Sequence, residues 1–221
     1  MSRDFPGGAA GNYIQCGATG AVDITGTALT LAFFTRPDAL FAGVGQMVSK
    51  SVAGAGDGYN LGTNASKPYM RIGNGGQEAA TGATTVPLSV WSHLAGVKSG
   101  TGANALKVYL NGVLDGQATS NVSIPSVAPL FVIGGFDGSF QPHDGRLAEV
   151  ALWNVALTDA EILALAKGVK PQQVRQQGLR GYWPLWGVAY PEPDLSGNGV
   201  HGALAGAVPL ADHAPAMGLA A

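Results

Sequence analysis

Leu106-Lys107-Val108-Tyr109-Leu110-Asn111-Gly112-Val113-Leu114 carries the strongest local signal in the chain. Leu106, Val108 and Leu110 recur at every second residue, so an extended backbone puts all three on one face. Asn111-Gly112 tolerates positive φ at both positions, which a type I′ turn demands, and apolar residues resume directly after it. The segment reads as a tight β-hairpin, with Asp115-Gly116 marking a bulge or a second bend just beyond. Upstream, Trp91, His93, Ala95 and Val97 alternate with Ser92, Leu94, Gly96 and Lys98, again a period of two. Leu29 to Thr35 reads as a strand ended by Arg36-Pro37-Asp38. Leu130 to Ile133, Leu147 to Trp153 and Gly181 to Trp186 read as further strands between Gly, Asn, Asp and Pro punctuation.

One helix interrupts this pattern. Thr158 and Glu161 stand at capping-box spacing, and Leu157 and Ile162 at the spacing of a hydrophobic staple. Ile162, Leu163, Leu165 and Ala166 supply an apolar face, and Gly168 fits the stop position. The pattern predicts one short helix near 158–167. The fold class is therefore all-β: two packed antiparallel sheets with this helix outside them. No repeat or charged linker divides the chain, so residues 1–221 are expected to form a single domain. The ends, 1–12 and 209–221, lack pattern and are expected as an N-terminal arm and a C-terminal tail.

Composition narrows the function. The 221 residues are 46% hydrophobic but only 12% charged, with 12 Lys+Arg against 14 Asp+Glu. No basic cluster exists to displace counterions, which argues against nucleic-acid binding. Cys16 stands alone, so neither an internal disulfide nor a thiolate metal site can form. No run of 18 apolar residues predicts a membrane-spanning helix. The start, Met1 to Gly8, lacks an apolar core, so no secretion signal is expected.

Catalytic motifs are missing. There is no G-x-S-x-G elbow and no phosphate-binding G-x-x-x-x-G-K-[ST] loop. Gly54, Gly56 and Gly58 lack the third spacing of a dinucleotide fingerprint. The four histidines, His93, His143, His201 and His213, are scattered. His93 reads as a core or edge residue, and His143 as a solvated turn beside Asp144. Asp57, Asp137 and Asp144 lie in Gly-rich loops where backbone carbonyls could complete a calcium shell, although Asp-Gly is equally a turn signal. Phe136, Asp137 and Phe140 are the nearest match to a sugar platform, an aromatic face beside an acid. Tyr59 and Tyr69 are further loop aromatics, whereas Trp91, Trp153 and Trp183 belong to strands and to the core.

Four segments together resemble the concanavalin A-like lectin/glucanase superfamily, in its laminin-G-like and pentraxin-like branch. Leu29 to Pro37 resembles the family's "aWvrp" strand, with Phe34 in place of Trp. Trp91-Ser92-His93-Leu94-Ala95 followed by Leu106 to Gly112 resembles "W-x-H-v-A … l-x-l-Y-v-N-G". Phe131 to Gly135 and then Gly145 to Ile162 match "iG … G-x-i-D-E-v-x-i-y-n-x-a-L-s-x-x-E-i", with Ala148 where the family has Asp. Tyr182 to Leu185 and Asp194 to Gly202 resemble "W-p-l … D-l-S-G-n-G-x-x-G". The resemblance implies a jelly-roll sandwich. Laminarinase-like members carry E-x-D-x-x-E on one strand. Here Glu149 is the lone acid there, with Ala151 and Asn154 at the other places, and one carboxylate cannot be both nucleophile and proton donor. The protein is expected not to be an enzyme.

That last segment commonly opens such domains, but here it closes the chain, an arrangement similar to stand-alone domains of bacteriophage virion proteins. This resemblance implies a structural or decoration protein of a virion, adhering to other virion proteins and to further copies of itself, with no cofactor. The alternative is a lectin-like module that binds cell-surface glycans, with calcium as an optional aid.

Overall fold

The computed structural model describes residues 1–7, 11–54, 56–136, 142–187 and 190–212. Its strands, in chain order, are β1 (Ser2–Phe5), β2 (Tyr13–Gln15), β3 (Ala28–Ala39), β4 (Val44–Ser51) and β5 (Gly58–Asn64). There follow β6 (Lys67–Gly73), β7 (Gln77–Thr81), β8 (Ser92–Ser99), β9 (Gly102–Leu110), β10 (Val113–Ser120), β11 (Val132–Ile133) and β12 (Asp144–Trp153). Two helices, α1 (Asp159–Ala166) and α2 (Pro171–Val174), precede β13 (Leu179–Trp183), β14 (Ala203–Ala205) and β15 (Leu210–Ala211). One 8-stranded sheet runs β10-β9-β8-β3-β12-β1-β15, with β13 also paired to β12; a 7-stranded sheet runs β14-β2-β11-β4-β5-β6-β7. Every pairing is antiparallel. The fold is the expected all-β sandwich of two antiparallel sheets.

The period-two alternation of β3 sorts its side chains. Leu29, Leu31 and Phe33 enter the core between the sheets, where they meet Val48, Leu61, Met70 and Ile72 of the 7-stranded sheet. Phe131 and Trp183 stack there at a centroid distance of 5.1 Å. Ala32, Ala95, Tyr109, Ala151, Trp153 and Tyr182 point the other way and are covered by Leu157, Ile162 and Leu165 around α1. Both sides of the central 8-stranded sheet are thus buried, so its strands are held by apolar surface on two faces.

Local signals resolve as expected at the hairpin and the helix. Asn111 and Gly112 both take positive φ (51° and 81°), joining β9 to β10 by a I′-compatible turn, and the register slips between Leu114 and Gly116 as a bulge. A Cβ at Gly112 would fall 2.9–3.0 Å from Leu163 and Ala166, so the turn docks on α1. Both halves of the Thr158–Glu161 capping box are made, and Leu157 and Ile162 are buried. No helix among the described residues is long and apolar enough to cross a membrane.

Three expectations change. Ser2–Phe5 are not a loose arm: they pair with β12 inside the sheet, and Arg3 is anchored by a 2.9 Å ion pair to buried Glu192. Those contacts span most of the chain, so no local pattern announces them. Leu210 and Ala211, in the expected tail, form β15 against β1, while 213–221 lie outside the described residues. Beyond the expected helix, α2 forms because Pro171 supplies a pre-set φ at its first turn.

Candidate functional site

The outer face of the 7-stranded sheet is polar. In β5 and β6, Tyr59, Leu61, Met70 and Ile72 turn into the core, which aims Asn60 and Arg71 outward. Their Cα atoms pair across the two strands, and Ser49 of β4 lies opposite Asn60 on the other side. In the amide orientation that matches donors to acceptors, Asn60 Oδ1 accepts from both Arg71 Nε and Nη2 at 3.0 Å. Arg71 Nη1 donates to Gln77 Oε1 at 3.2 Å. Asn60 is fully buried and Arg71 half-buried, so the amide orients the guanidinium and the guanidinium faces outward. Burial draws the Arg71 pKa down from its usual value. Among the described residues, no carboxylate forms an ion pair with Arg71.

Beside this pair the sheet carries a cleft of ≈ 140 Å³, lined by Gln46, Val52, Arg71, Gln77 and Phe136 with the backbone of Gly54 and Gly56. Ser49 Oγ reaches the carbonyls of Gly135 (2.9 Å) and Phe136, which pins the segment that brings the Phe136 ring to the cleft. Tyr69 adds a second aromatic to the same sheet face, and burial raises its hydroxyl pKa, so it remains a donor. The face combines a charged planar donor and amide groups with two mostly buried aromatic side chains, Phe136 and Tyr69, each 7% exposed. That equipment suits a polyhydroxylated ligand with one apolar side.

The residues singled out from sequence fare unevenly. Phe136 lies at the cleft, whereas Asp137 and Phe140 lie outside the described residues. Asp57 Oδ1 accepts from Gly75 N at 2.8 Å, so this carboxylate ties down the turn between β6 and β7. Asp144 starts β12 on the other sheet and accepts from Gly7 N at 3.1 Å. Calcium needs six to eight converging oxygens, and among the described residues no three His, Cys, Asp or Glu converge. Asp57 and Asp144 thus each hold a backbone amide, one on each sheet. Tyr59 is no platform: it is buried, and its hydroxyl donates to Val22 O at 2.5 Å. His143, expected in a solvated turn, is buried against Phe5, and burial pulls its pKa down to about 4. His93 is likewise buried, and its Nδ1 has no partner among the described residues.

Asn60, Arg71, Gln46 and Gln77 were not expected. The signal for two of them is Tyr59-Asn60-Leu61 and Met70-Arg71-Ile72, where a polar residue sits alone between apolar neighbours of a strand.

Glu149 has a different environment. A register shift in β12 (Ala148 opposite Phe34, Ala151 opposite Ala32) forces it into a left-handed φ of 55°. Its carboxylate accepts from Tyr182 OH (2.5 Å), Lys170 Nζ (2.9 Å) and Trp186 Nε1 (3.2 Å). Burial, then the Glu149 charge, pushes the Tyr182 hydroxyl well above its ordinary range, so it stays a donor. Ala151 and Asn154 offer no second carboxylate. Glu149 thus serves as an acceptor hub joining β12 to β13 and α2.

Comparison with known proteins agrees with this architecture. The Laminin_G_3 family model, described as the concanavalin A-like lectin/glucanases superfamily, matches residues 7–163. No curated protein matches the chain. Among solved structures, a putative carbohydrate binding protein from Bacteroides ovatus aligns with a TM-score of 0.67 at 19% identity, over 94% of this chain and 58% of that one. The chain thus spans little more than half the length of that protein. A native heptameric SAP-like pentraxin from Limulus polyphemus aligns with a TM-score of 0.59 at 17% identity, over 77% of this chain and 83% of that one. The CBM40 of a Ruminococcus gnavus IT-sialidase, solved with alpha2,3 sialyllactose, aligns with a TM-score of 0.57 at 14% identity, over 72% and 94%. With the family model covering most of the sandwich, the chain belongs to the concanavalin A-like lectin/glucanase superfamily.

Proposed function

We propose that the protein is a non-enzymatic carbohydrate-binding module whose sugar site is the outer face of the 7-stranded sheet. The observation that carries this reading is the Asn60–Arg71 pair, a guanidinium held in plane by a buried amide beside the Phe136 cleft. A pre-oriented guanidinium can donate to two neighbouring hydroxyls of a pyranose, while an aromatic face covers its C–H side. Two of the solved neighbours, from Bacteroides ovatus and Ruminococcus gnavus, are described as carbohydrate-binding, which supports the same reading. A role in a virion is supported by segment order alone, and none of the comparisons points to a phage. Self-association is supported by the heptameric state of the Limulus pentraxin, and several copies would multiply weak sugar contacts through avidity.

The test is a glycan array probed with the wild type, Arg71→Gln and Asn60→Ala. Binding by the wild type that falls about tenfold in both variants, with both still cooperatively folded at the assay temperature, supports the reading. Variants that bind as well as the wild type place the sugar elsewhere.

A further inference from the structure

A second polar pocket shares no lining residue with the Arg71 cleft. It measures ≈ 430 Å³ and is lined by Asp23, Thr25, Asn154, Arg180 and Asn198, with the backbone of Gly20. Its size falls in the range of small-ligand sites. Arg180 reaches it because the ladder between β12 and β13 slips there: Leu152 pairs with Gly181 and Trp153 with Leu179, which leaves Arg180 out of register. In the orientation that satisfies both groups, Asn154 Oδ1 accepts from Arg180 Nη2 (2.6 Å) and Nε (3.1 Å), while its nitrogen donates to Gly178 O (3.1 Å). One edge of the guanidinium is therefore fixed by the protein. The Nη1–Nη2 edge has no acceptor among the described residues, and Arg180 is half-buried.

The charge balance selects the ligand. Asp23, the one carboxylate in the lining, accepts from Ser126 Oγ (2.5 Å) and Val127 N (3.3 Å) and lies 3.5 Å from the buried ammonium of Lys50. It is neutralised and its oxygens are engaged. Arg180 forms no ion pair among the described residues, so the pocket carries one uncompensated positive charge, presented as a planar fork. A carboxylate matches that fork bidentately. Around it, the Thr25 hydroxyl and the Asn198 side-chain oxygen, held in place because Asn198 Nδ2 donates to Leu179 O and Ser196 Oγ (both 3.0 Å), can partner ring hydroxyls, and apolar surface is limited to Ala21 and Ile24. We infer that this pocket is a second, independent site that takes the carboxylate of an acidic sugar, a hydroxylated ring bearing one negative charge.

The experiment is an amide chemical-shift titration of the isotope-labelled chain at matched ionic strength. The probes are glucuronate, glucose (the ring without the charge) and acetate (the charge without the ring). At up to about 20 mM, enough for millimolar affinity, glucuronate is expected to shift amides at Gly20, Thr25, Arg180 and Asn198, and neither control should match it. Arg180→Gln should weaken glucuronate binding about tenfold or more. Arg180→Lys, which keeps the charge without the fork, should also weaken it. Arg71→Gln should leave this site unchanged, which separates it from the Arg71 cleft. Absence of glucuronate shifts in the wild type overturns the inference. So does acetate acting as strongly as glucuronate, glucose doing the same, or shifts confined to the Arg71 face.

Discussion

Replacing Glu149 tests whether one carboxylate joins three elements of the fold. In Glu149→Ala the buried Tyr182 hydroxyl and the Trp186 indole lose their acceptor, and an unsatisfied buried polar group costs about 1–3 kcal/mol. Lys170 contributes little more, because its side chain is 42% exposed and exposed pairs are worth about 0–1 kcal/mol. The expected loss is about 3 kcal/mol. Glu149→Gly removes the same contacts but relieves the left-handed backbone, which costs a residue with a Cβ about 1 kcal/mol. Its loss should be about 2 kcal/mol. For a chain of this length each kcal/mol lowers the melting temperature by about 2–4 °C. Urea denaturation of the three proteins, compared at equal m-value, reads both differences. Losses below about 1 kcal/mol in both variants would refute the hub, and an alanine variant as stable as the glycine variant would refute the strain.

Other outcomes follow from the same geometry. Burial lowers the pKa of His93 to about 3 and of His143 to about 4, while an unfolded histidine titrates near 6.5. The unfolded chain therefore binds more protons below pH 6.5, and stability is complete above that value. It should fall on acidification by about 1.4 kcal/mol per pH unit for each histidine. Burial leaves His93 in its neutral form, so His93→Phe should halve the slope between pH 6 and 5 in denaturation midpoints; an unchanged slope would show that His93 does not contribute to it. Thr158→Ala should cost about 1 kcal/mol in urea unfolding through loss of the capping box, and a neutral result would mean that α1 is held by packing alone. Gly58→Ala should cost well over about 2 kcal/mol, because φ is 107° and a Cβ would sit 2.1 Å from Lys50 O. Gly75→Ala, with positive φ but nothing within 4 Å, should cost only about 1 kcal/mol; equal losses in the two melts would contradict the steric account.

The elements legible from sequence are those whose causes are local. The β9–β10 hairpin is encoded by alternation plus two residues tolerant of positive φ, and α1 by a cap whose partners lie three residues apart. The strands β4 to β7 hide from the same reading. Asn60 is buried although it faces outward, and Glu78 and Lys50 point inward, so polarity does not alternate with burial. Lys50 is tolerated inside because its ammonium donates to the carbonyls of Ala18 (2.6 Å), Val127 (2.6 Å) and Pro129 (2.7 Å), partners scattered along the chain. β1 depends on Glu192, and no window of sequence contains both. The candidate site was only partly visible for a related reason. Aromatic and acidic loop residues are conspicuous in sequence, and Phe136 was found that way. Asn60, Arg71 and Gln77 become a group only when β5, β6 and β7 pair and bring three separate turns of sequence side by side. Glu149 was visible as a lone acid, but its partners Tyr182, Lys170 and Trp186 were not.

The central claim is that sugar binds on the outer face of the 7-stranded sheet at the Asn60–Arg71 pair. The most direct measurement is an amide chemical-shift map of the labelled protein with the strongest glycan from the array. The account predicts perturbations centred on Gln46, Asn60, Arg71, Gln77 and Phe136, lost in Arg71→Gln while the fold persists. Perturbations confined to the opposite sheet under α1 and α2, or none in a folded protein at saturating glycan, would contradict it.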